Sequence, residues 1–135
     1  MIRALCIAVA VLAVGFAATT YVALELTEVA TVETASSDRS EPRQTRVWYV
    51  QHGDALYLEA GHPDNPWVRD LEHMRRLALS GEDIGGEYLF QQSSSAADHE
   101  RIRKMMRGKY GWRDWWIGVV FDTSRSRLIK LESAK

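Results

Sequence analysis

Residues 45–60 read TRVWYVQHGDALYLEA, and the fold turns on this stretch. In Thr45–Val50, Val47 and Tyr49 fall on one side of an extended chain, while Arg46, Trp48 and Val50 fall on the other. Both faces therefore carry bulk. His52-Gly53-Asp54 supplies a turn whose glycine can take positive φ, and Ala55–Ala60 returns as the partner strand of a hairpin.

Working outward, Glu28–Ala35 (EVATVETA) alternates Val29, Thr31 and Glu33 with Ala30, Val32 and Thr34, and its β-branched content suits a strand of mixed burial. The polar run SSDRSEPRQ, residues 36–44, breaks that strand. Downstream, Asn65-Pro66 is an N-cap followed by a proline at the first helical position, where its missing N–H does no harm. The spacing of Val68, Leu71 and Met74 predicts a helix ending near His73–Arg76. Leu77–Leu79 and Glu87–Gln92 then read as strands paired across the turn GEDIGG, residues 81–86.

Ser95 and Asp98 form an S-x-x-D helix start. Ile102, Met105, Met106 and Tyr110 follow as one apolar stripe, and Gly111 ends the helix. Arg101, Arg103, Lys104 and Arg107 lie outside the stripe and read as a solvated face, since Asp98 and Glu100 share the helix. The aromatic cluster Tyr110, Trp112, Trp115 and Trp116 leads into Ile117–Phe121, and Ser126–Glu132 is the last strand.

At the other end of the chain, Ala4–Leu24 carries no charge, and at helical rise it extends roughly 30 Å, about one hydrocarbon thickness. It reads as a single membrane-crossing anchor. A cleaved secretory signal is the competing reading, with Gly15 and Ala17 as a small-residue cleavage site, and a buried helix is a third. Arg3 before the segment and Glu25, Glu28 and Glu33 after it place the following domain outside the cytoplasm by the positive-inside rule.

Composition bounds the rest. A chain of 135 residues, 46% hydrophobic and 26% charged, builds one ordinary core. Seventeen basic against 18 acidic residues leave a net charge of −1, which gives no field to attract nucleic acid. The single cysteine, Cys6, excludes an internal disulfide. His52, His62, His73 and His99 lack metal-ligand spacing, and no nucleophile elbow or nucleotide-binding glycine loop is present. The expected organisation is an anchor or signal over residues 1–24 and one α+β domain over 25–135. That domain is a small antiparallel β-barrel whose two helices cover barrel openings or sheet edges.

TRVWYV, GDALYLEAG, NPWVRDL and KYGWRDWWIG, in this order and before a closing strand, resemble the split β-barrel proteins that bind flavin or deazaflavin. That group includes pyridoxamine phosphate oxidase-like proteins and deazaflavin-dependent nitroreductase and quinone reductase proteins. The resemblance spans residues 28–132. It implies FMN or an F420-type deazaflavin lying against the barrel, commonly at a homodimer interface, and two-electron chemistry on its ring. By position it places Arg46, Asn65, Pro66 and Trp67 around the phosphate and ring, with Trp48, Tyr110 and Trp112 walling the ring. Relatives often carry a loop with glycine and lysine between the first two strands. SSDRSEPRQ has no glycine, and Arg39 and Arg43 are its only cations.

The residues also admit plainer roles. Arg46 can be a half-exposed strand residue stacked on Trp48, Trp67 a staple between helix and barrel, and the cluster near Trp112 core, membrane-interface contact or cofactor wall. Two functions remain open. One is a membrane-tethered oxidoreductase acting on a small electron acceptor such as a quinone. The other is a non-catalytic module that binds a small molecule or a protein on a barrel without cofactor.

Overall fold

The computed structural model describes residues 2–35 and 40–134. Helix α1 (Ile2–Glu25) is followed by β1 (Ala30–Thr34), β2 (Arg43–His52) and β3 (Ala55–Ala60). A short α2 (Pro66–Asp70) runs into a 3-10 turn, Leu71–His73, and then come β4 (Arg76–Ser80) and β5 (Gly85–Ser93). Helices α3 (Ala96–Tyr110) and α4 (Trp112–Val120) precede the closing strand β6 (Arg127–Ser133). Arg39, one of the two loop cations, lies outside the described residues.

The six strands close into an antiparallel barrel in the order β1-β2-β3-β6-β5-β4, with β1 paired back onto β4. The α+β barrel expected from the sequence is therefore the fold. Side-chain alternation sorts the strands into two layers. Val47, Tyr49, Leu56, Leu58, Leu77, Leu79, Ile129 and Leu131 fill the interior together with Ala30 and Val32. Trp67, Val68 and Leu71 reach the same core, so α2 and its 3-10 turn plug one barrel end. The opposite faces of β2, β3 and β6 present Trp48, Val50, Tyr57 and Leu128 to an outer layer made by Ile102, Met106 and Tyr110 of α3, Ile117 of α4 and Ala23 of α1.

One element departs from the sequence reading. Trp112–Val120 is a helix of its own, so the barrel carries a further helix besides the two expected. Gly118, Val119 and Val120 favour a helix poorly. Packing of Ile117 and Asp114 against the outer layer overrides that preference. Gly111, at φ 55°, makes the corner between α3 and α4. The predicted cap of α3 is in place, with the Asp98 amide donating to the Ser95 hydroxyl at 3.3 Å.

Candidate functional site

Register sets the site. Trp48 on β2 and Glu59 on β3 are directly paired residues on the barrel's outer face. Beside them a cleft of about 510 Å³ runs between β2, the end of α1 and the start of α2. Arg46, Trp48, Asn65, Pro66 and Trp67, all chosen from the sequence, line it, together with Leu24, Glu25, Arg43, Glu59, Arg103, Ile117 and Thr123.

Tyr110 and Trp112 do not line the cleft. Tyr110 lies behind Trp48, with ring centroids 4.3 Å apart and planes at 13°. Its hydroxyl accepts the Tyr49 amide at 3.0 Å and lies 3.0 Å from the carbonyls of Glu28 and Tyr49. Tyr110 thus fixes the plane of Trp48 from the core side. Burial pushes its hydroxyl pKa upward, away from the ordinary tyrosine value. Tyr49 is pushed the same way, first by burial and then by its hydrogen bond to the Glu28 carboxylate. That bond, with a second from Lys109 Nζ at 3.1 Å, holds the Glu28 carboxyl below the usual carboxylate range. Trp112 stands half exposed on α4 with the Arg113 guanidinium 5.1 Å from its ring.

The electrostatics of the cleft are largely internal. Arg46 donates to the Glu25 carboxylate at 2.5 Å and to the Glu25 carbonyl at 2.8 Å. Arg43 Nε meets Asp70 Oδ2 at 3.0 Å, and the Thr34 hydroxyl donates to the same oxygen at 2.8 Å. Arg103 joins Glu59 (2.5 Å) to Asp114 (2.7 Å). Among the described residues, every cation lining the cleft therefore has a carboxylate partner. The start of α2 offers few free donors. Pro66 has no N–H, and the Val68 and Arg69 amides donate to the Asn65 carbonyl at 2.9 and 3.2 Å. Trp48 Nε1 and Glu59 Oε1 are buried without a hydrogen-bond partner among the described residues.

Sequence reasoning placed Arg103 on a solvated face. Its side chain is instead 11% exposed, because β3 and α4 bring carboxylates to it from outside its own helix. Glu59 was also missed. Its position, in register with Trp48 across the hairpin, was the available signal.

No family model matches the chain, and no curated protein matches it either. Solved structures do. A candidate pyridoxamine 5'-phosphate oxidase from Listeria innocua superposes with a TM-score of 0.59 at 18% identity, over 84% of this chain and 89% of that one. An F420 reductase matches at TM-score 0.57 and 13% identity, over 85% and 93%. A FAD-binding protein from Mesorhizobium loti gives 0.57 and 11%, over 87% and 88%. At these identities the shared property is the architecture alone: this chain has the six-stranded antiparallel split-barrel fold of those structures.

Proposed function

We propose that this chain is a membrane-tethered, oxidoreductase-like split barrel whose cleft takes the ring of a flavin or deazaflavin, with FMN and F420-type deazaflavins as the candidate forms. The cleft carries this reading. Its volume falls within the roughly 300–1,000 Å³ of small-molecule sites. Leu24, Val29, Val47 and Ile117 give it apolar walls, and Trp48 is held rigidly at its edge by Tyr110. The fold neighbours whose names include FAD binding and F420 reduction support the same ligand class by analogy of fold. When bound, such a ring supplies hydride chemistry of its own, and the protein's part is to bind and orient it.

The two ends of such a cofactor fit unequally. The apolar walls suit a ring, whereas Arg43, Arg46 and Arg103 are already engaged by carboxylates and offer a phosphate little. Leu24 and Glu25 belong to the last turn of α1, so a membrane-crossing α1 brings the cleft to the bilayer surface, within reach of a lipid-soluble acceptor such as a quinone. A two-fold homodimer and an extracytoplasmic domain complete the reading.

The paired arginines favour a second reading, a non-catalytic binding module on the same barrel. One experiment separates the two. The full chain, purified in detergent, is examined for visible absorption and then titrated with FMN and with an F420-type deazaflavin. A saturable change in ring fluorescence, or a raised melting temperature, supports the cofactor reading. If neither ligand produces either change, the binding module takes its place.

A further inference from the structure

We infer that α4 is a second membrane element, a short helix lying in the bilayer interface beside α1; the inference rests on the reading of α1 as a membrane span.

The uncharged run Ala4–Leu24 is only about as long as a hydrocarbon core is thick, so its end at Glu25 marks the boundary with little slack. Helix α4 packs on α1 inside that run. Trp116 Nε1 donates to Thr20 Oγ1 at 3.1 Å, and its ring lies 5.5 Å from that of Phe16. At about 1.5 Å per residue, Thr20 and Phe16 lie roughly 7 and 13 Å along the helix from Glu25. Thr20 lies within the roughly 5–10 Å to which the apolar face of an interfacial helix sinks, and Phe16, which the Trp116 ring reaches, lies about 3 Å deeper than that range.

The chain also enters and leaves at the boundary. Arg113, at the start of α4, donates to the Leu26 carbonyl at 3.4 Å. Thr123, two residues beyond Phe121, is back on the cleft rim with Leu24 and Glu25. Between these points α4 turns Asp114 and Ile117 toward the protein and leaves Trp115, Val119 and Phe121 outward at 66%, 65% and 50% exposure. Helix α1, which Trp116 ties to α4, likewise exposes its apolar side chains from Ile2 to Phe16. Trp and Phe on the immersed face, with Arg113 and Asp122 at the two ends, match the chemistry of a lipid interface. The occupant of this face is the bilayer, and the cleft, walled by Leu24 and Ile117, is thereby held at the membrane surface.

The test uses the full chain with Cys6→Ser, carrying either Val119→Cys or Leu12→Cys. Each is labelled with an environment-sensitive fluorophore and reconstituted in phosphatidylcholine–phosphatidylglycerol vesicles. Position 119 is exposed, so the substitution leaves the fold intact, which circular dichroism checks. Both positions should resist aqueous iodide. Position 12 should be quenched best by lipids spin-labelled deep in the acyl chain, and position 119 at least two-fold better by lipids labelled near the headgroup. If position 12 reads hydrocarbon while iodide quenches position 119, α4 lies in water and the inference is overturned, with the anchor intact. If position 119 is shielded only as protein concentration rises and ignores the spin labels, a second copy covers the face and the inference is equally overturned. If both positions read water, the membrane reading of α1 fails and takes the inference with it.

Discussion

Arg46 grips Glu25 twice, through the carboxylate and through the backbone carbonyl at the end of α1. A cation at a helix C-terminus meets the negative end of the helix dipole as well as the carboxylate, so the contact fastens the end of α1 to β2 at the cleft mouth. It also engages one of the arginines that line the cleft. The side chains are 48% and 33% exposed, and a pair that open contributes about 0–1 kcal/mol to stability.

Freeing that arginine should therefore change ligand preference without unfolding the barrel. In the wild-type chain, FMN and riboflavin are expected to bind about equally, because no unpaired cation meets the phosphate. With Glu25→Gln, Arg46 keeps only neutral acceptors, the backbone carbonyl and the amide oxygen, and FMN should gain roughly ten-fold over riboflavin, the scale of one charge-assisted bond. Fluorescence titration with both ligands checks this, and the double variant Glu25→Gln/Arg46→Ala should abolish the gain.

The bridge from Arg103 to Glu59 and Asp114 behaves differently, because its three side chains are 11%, 5% and 3% exposed. Arg103→Ala leaves two carboxylates buried without their principal cation and should cost about 3–5 kcal/mol. Thermal melting should show a fall of roughly 10 °C or more. Arg101→Ala, on the exposed side of the same helix, should stay within about 0.5 kcal/mol of wild type.

Tyr49 and Tyr110 both have hydroxyl pKa values raised in the folded state, by burial first. Folding therefore favours their protonated forms, and the associated stability is present below the ordinary tyrosine value of about 10 and lost as pH rises beyond it. Of the five tyrosines, these two should ionise only as the barrel opens, visible as a late step in phenolate absorbance that coincides with loss of structure. Glu28 has the opposite sign. Its lowered pKa gives stability present at neutral pH and lost as pH falls below about 4.5. Glu28→Gln should therefore flatten the acid limb of a stability–pH curve and leave the alkaline limb tied to Tyr110.

Much of this fold was legible because it is local. The alternation in TRVWYV and ALYLEA, joined by Gly53, gives the register that sets Trp48 against Glu59. The S-x-x-D cap and the stripe from Ile102 to Tyr110 give α3 with its ends. What escaped was made by distant partners. Helix α4 is stabilised by packing on the barrel and on α1, against the local preference of Gly118, Val119 and Val120. Arg103 looked solvated because a single-helix pattern cannot include Glu59 or Asp114. The bond between Arg46 and Glu25 crosses 21 positions and follows no period. Arg46, Trp48, Asn65, Pro66 and Trp67 still converge on one cleft, since the strand and the helix start that carry them are neighbours in the barrel.

Blocking the cleft on the outer face of β2 shows whether it holds a flavin-type ring. Gly61 lines the cleft, and no heavy atom lies within 4 Å of the position its Cβ would take, so Gly61→Trp fills the space without straining the barrel. Both chains are titrated with riboflavin, FMN and an F420-type deazaflavin while ring fluorescence is followed, with melting temperature as the control for folding. Saturable binding of at least one ring by the wild-type chain is expected, with a loss of ten-fold or more, about 1.4 kcal/mol, in Gly61→Trp at unchanged melting temperature. Equal binding by the two chains, or no binding by the wild-type chain, would contradict a flavin-type ring in the cleft.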